Sequence, residues 1–215
     1  LTAIDRRATL LMSATLPDED ITGIPPDYFY RIDEAIRDGI ICDYNIVIPT
    51  LPAGADVKSG RVILRSHHSE WRRVLAYCNT LADAEVFCAM LNAHDRQLGL
   101  GETAAWFGGD MPTAQRRQII AKLEAGTLRT LVTVHTLGEG VDIPTADTCL
   151  FVQPRNSSID VNQCVGRVMR IPRDARGRWC GDKVMATVIL PTADEERELV
   201  RFLRVMLRAD PRLIG

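Results

Sequence analysis

Residues 128–170 read LRTLVTVHTLGEGVDIPTADTCLFVQPRNSSIDVNQCVGRVMR. Two short apolar runs, 128–135 and 148–153, are each closed by residues that break regular structure. A short apolar run between turn signals reads as a strand buried on both faces. The first run ends in a turn with Gly138, Glu139, Gly140, Asp142 and Pro144, where glycines permit unusual φ or close backbone approach. A helix follows the second run over 159–168. Gln163, Arg167 and Arg170 are spaced i, i+4 and i+7, so they share one helix face. Gly166, just before Arg167, leaves room for something to come close.

The same alternation extends in both directions. Strands are predicted at 8–12, 40–48, 73–78, 103–107 and 184–190. Helices are predicted at 81–93, 113–125 and 194–208. In the first of these Leu81, Ala84, Val86, Phe87, Met90 and Leu91 fall at helical spacing. In the second Ile119, Ile120 and Leu123 point inward and Gly126 ends the helix. In the third Leu199, Phe202, Leu203 and Met206 share a face. The stretches 18–26 and 49–60 read as loops, and 69–76 reads as a helix unless the strand already begins there. Strands alternating with helices predict an α/β fold, a parallel sheet with helices on both faces. Right-handed crossovers place the C-terminal ends of the strands on one edge, where ligand chemistry is expected.

The composition is that of a globular domain: 215 residues, 46% hydrophobic and 25% charged. No run approaches the roughly 18 apolar residues of a membrane helix, and no signal-peptide segment is seen, so no membrane partner is expected. The chain begins at Leu1 without an initiator methionine, which suggests a piece of something longer. Net charge is −2, so any surface for a polyanion is local. The six cysteines, Cys42, Cys78, Cys88, Cys149, Cys164 and Cys180, form no C-x-x-C pair. They read as buried free thiols of an intracellular protein of the cytoplasm, nucleoid or nucleus, and no metal site is expected.

Three loops carry polar chemistry: Ser13-Ala14-Thr15, the turn from Gly138 to Pro144, and the helix face of Gln163, Arg167 and Arg170. Two arginines beside a glutamine make a multidentate anion clamp suited to phosphate; the plainer alternative is a solvated basic face. Asp142 could accept from a ribose hydroxyl; the plainer alternative is a helix cap. In this order the three segments resemble the superfamily 2 helicases and translocases. The likeness is to the end of a first RecA-like lobe (1–30, with its linker) followed by the second, helicase C-terminal lobe (31–215). Ser13-Ala14-Thr15 is similar to motif III, Gly140 and Asp142 to motif V, and Gln163 to Arg170 to motif VI. A glutamine at Gln163 is similar to the DEAH-like and restriction-type branch. Residues 74–80 resemble motif IV, and Phe107 to Met111 with Arg116 and Arg117 resemble the family's "HG-x-M…R" stretch.

The resemblance implies an ATP-dependent nucleic-acid motor. ATP and Mg²⁺ would be bound mainly by the first lobe, and Arg167 and Arg170 would neutralise charge on the γ-phosphate. Gln163 would order the polar network, Gly140, Asp142 and Glu139 would meet the nucleotide, and Ser13, Ala14 and Thr15 would couple the lobes. The backbone of DNA or RNA would be held by Asn79, Thr80, Gly109, Asp110, His135 and Thr136.

Several features depart from the family pattern. No Gly-Lys pair exists, hence no phosphate-binding P-loop, so this chain alone is expected to be inactive. Ile32-Asp33-Glu34-Ala35 imitates an acidic box but follows the Ser-Ala-Thr segment, and is read as a helix start. Val134 stands where relatives carry a threonine. Arg173 to Arg178 reads as a solvated loop. Two other classes compete: a non-catalytic RecA-like scaffold or nucleic-acid-binding module, and a dinucleotide enzyme, which would need a third glycine after Gly138-Glu139-Gly140.

Overall fold

The computed structural model describes residues 30–50, 54, 56–108, 111–134, 142–154, 158–190, 200, 202–204, 206–207 and 210–214. The expected strand at 8–12, Ser13-Ala14-Thr15, the 18–26 loop, Gly109, Asp110, His135, Thr136 and Gly138 to Gly140 lie outside them. Six strands form one sheet: β1 (Asp43–Val47), β2 (Val74–Tyr77), β3 (Ala104–Phe107), β4 (Thr130–Thr133), β5 (Thr148–Phe151) and β6 (Met185–Ile189). Their order is β1-β6-β5-β2-β4-β3 and every pairing is parallel. Five helices accompany them: α1 (Ile32–Arg37), α2 (Val57–His67), α3 (Leu81–Gln97), α4 (Thr113–Glu124) and α5 (Ser158–Val168). Residues 200, 202–204 and 206–207 are helical, and Pro211–Ile214 forms a 3-10 turn. This is the RecA-like fold expected.

β2 shows why the strands read as unbroken apolar runs. All four of its residues are buried, and they alternate between two cores. Leu75 and Tyr77 join Phe151, Val188, Val161, Val165 and Leu123, with Phe202 and Met206, under α4 and α5. Val74 and Ala76 join Trp71, Phe87, Leu91 and Val62 under α2 and α3. Each large side chain so buried contributes about 1.5–3 kcal/mol.

The regular elements largely follow the periodicity. α4 ends at Ala125 with Gly126 at φ +75°, the left-handed position that favours glycine. Asp33 and Glu34 open α1 as first-turn acids, and Glu34 accepts the Arg31 N–H at 2.9 Å.

Four expectations need correction. The supposed loop at 49–60 runs into α2, which the sequence reading missed. Its inward face is Arg61, Val62 and Arg65, so no apolar stripe marks it. Arg65 is fully buried against Asp95 at 2.6 Å, and Arg61 donates to the Leu190 carbonyl at 2.8 Å. Asp56 caps this helix by accepting the Ser59 N–H at 2.8 Å. Conversely, 69–76 is not helical: a turn with His68 stacked on Trp71 leads straight into β2. Leu81 and Val86 are exposed rather than inward, and α3 packs through Ala84, Phe87, Cys88 and Leu91. Cys180 is exposed, while the other five thiols are buried.

Candidate functional site

α5 separates its two faces cleanly. Val161, Cys164, Val165 and Val168 are buried, as is Met169 just beyond, while Gln163 and Gly166 are exposed and Arg167 half-buried. Arg170, expected on the same helix face, lies two residues past the end of α5 and is also half-buried. Among the described residues, a Cβ built on Gly166 would meet nothing within 4 Å, so their packing does not call for glycine there.

The Arg170 guanidinium forms an ion pair with Asp142. Asp142 and the end of the arginine helix, 28 residues apart in the chain, therefore meet at one place. The alternative role for Asp142 as a helix cap does not apply, because the chain turns through Ile143 to Ala146 directly into β5.

The location of this pair corrects the sequence reading. α5 runs back across the sheet, so its last residues return to the edge where strands begin. Arg170 forms a bridge to Ile41, and the Cys42 N–H donates to the Met169 carbonyl at 2.9 Å, both just before β1. On the same side Asp147 accepts the N–H groups of Arg72 (3.1 Å) and Arg73 (3.0 Å) ahead of β2 and β5. The arginine–aspartate pair thus sits at the starting edge of the sheet, not among the loops at the strands' C-terminal edge.

Lys183 lies beneath this pair, 7% exposed and two residues before β6. Its ammonium donates to the Pro144 carbonyl at 3.0 Å and to the Arg170 carbonyl. Burial pulls its pKa down to about 8, against the attraction of Cys42, Asp147 and Asp142. Burial also pushes the Cys42 thiol and the Asp147 carboxyl up. Nothing in the sequence announced Lys183, which follows Gly181 and Asp182 in what reads as a polar turn.

At the opposite edge, β2 is followed by Asn79 and Thr80. The Asn79 N–H donates to Gln153 Oε1 at 2.8 Å, and its side-chain amide donates to the Pro154 carbonyl at 3.0 Å. These bonds join the β2 and β5 loops. Thr80 caps α3: its hydroxyl accepts the Asp83 N–H at 3.1 Å and donates to Asp83 Oδ2 at 2.6 Å. Lys58 reaches the other oxygen of Asp83 at 2.6 Å. The Lys58 and Thr80 hydrogen bonds hold the Asp83 pKa down at about 2. What faces outward here is the first turn of a 17-residue helix, whose N–H groups suit a phosphate backbone. Gly108 approaches Leu81 so closely that a Cβ would fall 2.3 Å from its side chain, so the end of β3 joins the same edge. Val134 is 6% exposed and belongs to the core. Arg173 to Arg178 form an exposed turn organised by Asp174, which accepts the Arg176 and Arg178 N–H groups, each at 2.9 Å.

Among the described residues no three His, Cys, Asp or Glu side chains come together as a metal site, and no helix is long and apolar enough to cross a membrane.

The comparisons with known proteins agree with this architecture. The family described as "Helicase conserved C-terminal domain" matches residues 58–172, more than half of the chain. The chain is 24% identical over 177 residues to the ATP-dependent RNA helicase DBP8 of Candida albicans, a match covering 79% of this chain and 39% of that protein. It is 27% identical over 188 residues to the UvrABC system protein B of Nitrosococcus oceani, covering 82% and 26% respectively. The chain therefore spans well under half the length of these relatives. The structure of the Mycobacterium smegmatis helicase Lhr, bound to single-stranded DNA and AMP-PNP, superposes with a TM-score of 0.57 at 20% identity, covering 79% of this chain and 22% of that one. The parallel sheet, the Arg170–Asp142 pair at the end of α5 and the family match lead to one assignment: the chain belongs to the helicase conserved C-terminal domain family, as a C-terminal RecA-like lobe of the superfamily 2 type.

Proposed function

We propose that this chain is the second motor lobe of an ATP-dependent nucleic-acid helicase or translocase, with residues 1–30 as the tail of the first lobe. In this reading ATP and its Mg²⁺ are held mainly by that first lobe. Arg167 and Arg170 face the γ-phosphate, Gln163 orders the water or polar network, and Gly140, Asp142 and Glu139 meet the rest of the nucleotide. Ser13, Ala14 and Thr15 couple the lobes. Asn79 and Thr80, with Gly109, Asp110, His135 and Thr136, line the path of the DNA or RNA backbone.

The observation that carries the proposal is the ion pair between Arg170 and Asp142. It brings together the two groups that a nucleotide would need, a guanidinium for phosphate and a carboxylate for ribose hydroxyls. Their side chains are 42% and 62% exposed, and so exposed a pair is worth at most about 1 kcal/mol. It can therefore be exchanged at little cost when phosphate and ribose arrive. A guanidinium suits this site because its fork can bind two phosphate oxygens at once. The exposed glycine on the same face adds support: glycine inside a helix costs about 0.5–1 kcal/mol, and open space around Gly166 fits close approach by a partner surface. The naming of one relative as an ATP-dependent RNA helicase, and the single-stranded DNA and AMP-PNP bound to a similarly folded helicase, also support this reading.

Titration calorimetry of the isolated chain with ATP tests it. With the phosphate-holding lobe elsewhere, no binding tighter than millimolar is expected, and a micromolar constant overturns the two-lobe reading.

A further inference from the structure

The exposed Arg170–Asp142 pair is too weak to fix its own geometry, since surface ion pairs contribute little and both side chains can rotate away. Yet a group placed to stabilise a transition state must be held closely, because a displacement of about 1 Å can cost on the order of 100-fold in rate. Something beneath the pair has to set the separation between the Ile143–Ala146 turn and the end of α5. Lys183 touches both.

We propose that Lys183 is a positioning residue: its buried ammonium, bound to the carbonyls of Pro144 and Arg170, sets the spacing between the turn that carries Asp142 and the helix end that carries Arg170. The inference rests on the reading that Arg170 faces ATP. The two carbonyls belong to the two segments that must be held in register. One of them lies just past the C-terminus of α5, where backbone acceptors lack helical partners and a cation is favoured by the helix dipole. The charged and titratable groups facing the ammonium are Cys42 before β1, Asp142 and Asp147 on the turn between β4 and β5, and Arg170 itself through its carbonyl. Lys183 is thus enclosed by all three segments that meet at this edge. A lysine without a structural task would snorkel to water from a position so near a strand end, whereas this one stays 7% exposed.

The test is a double-mutant cycle in the protein that carries both lobes, read as single-turnover ATP hydrolysis and as KM for ATP. Lys183→Met keeps the stem and removes the ammonium. It is expected to lower kcat at least tenfold, with KM for ATP changed less than threefold. In the Arg170→Ala background the same substitution is expected to change kcat less than twofold, because the group it positions is gone. If kcat stays within twofold of wild type, or falls equally in both backgrounds, the proposal is overturned. Lys183→Gln, whose single amide cannot hold both carbonyls, serves in the same cycle if the methionine variant does not fold. Should Arg170→Ala itself leave hydrolysis intact, the underlying reading of Arg170 fails, an outcome distinct from failure of the lysine clamp.

Discussion

The two edges of the sheet are built differently. At the edge where β2 and β5 end, the polar groups are bound to one another: Asn79 to Gln153 and Pro154, and Thr80 and Lys58 to Asp83. The side chains there shape a loop by bonding to one another and to its backbone. At the edge where β1 and β6 begin, two charged side chains meet in an exposed pair above a buried lysine. The first edge suits a ligand gripped through its repeating backbone, whatever its sequence. The second suits charge that develops at one point.

The largest effect is expected at the starting edge. In the protein carrying both lobes, Arg170→Ala should reduce nucleic-acid-stimulated ATP hydrolysis by roughly 10³–10⁵, the scale of arginine fingers in other phosphoryl-transfer enzymes. Nucleotide affinity should change little, since the lost interaction forms only in the transition state. Stopped-flow hydrolysis together with binding of a fluorescent nucleotide separates the two. A parallel loss of binding would mean that Arg170 holds the ground state instead.

How much of this contrast was visible in the sequence depends on which residues carried it. The strand–helix alternation and the all-parallel sheet follow from periodicity, because strands buried on both faces read as apolar runs and α5 has a clean apolar face. The expected stripe holds only for Gln163 and Arg167: α5 ends at Val168, and Arg170 lies past it in the bridge to Ile41. α2 was invisible for the opposite reason: its inward positions include Arg61 and Arg65, which break the apolar pattern and bind Leu190 and Asp95, distant in sequence. The edge that Arg170 occupies was also misread. Periodicity shows which face of a helix a residue takes, but not which end of the sheet the helix returns it to; that depends on the Ile41 bridge, a contact across the fold. Lys183 left no local signal, since its partners are main-chain carbonyls.

The next effect concerns pH. Lys183 is held near pKa 8, below its ordinary 10.5. Between those values the unfolded chain binds a proton that the folded chain has released, so this group makes stability rise with pH across that window, by on the order of 3 kcal/mol. Asp83, at the other edge, is held at about 2 from an ordinary 3.8. Its contribution is complete above pH 4 and is lost as pH falls through 2. Cys88, raised to about 11 by burial, opposes Lys183 by lowering stability above pH 9. Urea unfolding of Lys183→Met should therefore lack the rise between pH 8 and 10.5 that wild type retains, and the two curves should diverge across that window. Curves that run parallel would place the Lys183 ammonium in water.

A smaller effect is expected at the finishing edge. Asn79→Ala removes the donor to the Pro154 carbonyl, a bond worth about 1 kcal/mol. Affinity for single-stranded nucleic acid should fall by about three- to tenfold in the two-lobe protein, measured by fluorescence anisotropy at fixed salt. The basal, nucleic-acid-independent ATPase rate should stay within twofold. An unchanged affinity would remove this edge from the nucleic-acid path, and a collapsed basal rate would show that the two edges are not separable.

The smallest effect separates what the lobe needs by itself from what its partner needs. Gly166 lies in α5 with open space where a Cβ would stand, so within this chain Gly166→Ala should relieve the entropy cost of a helical glycine and stabilise the isolated lobe by about 0.5–1 kcal/mol. In the assembled motor the same methyl group would project beside Arg167 on the exposed side of α5. If another lobe closes against that face, hydrolysis should fall although the lobe has become more stable. Opposite signs of the two effects, measured by urea unfolding of the lobe and ATP turnover of the whole, would locate the reason for this glycine outside the chain. Stabilisation with full turnover would mean that nothing approaches α5, and the starting edge would lose its claim to the nucleotide.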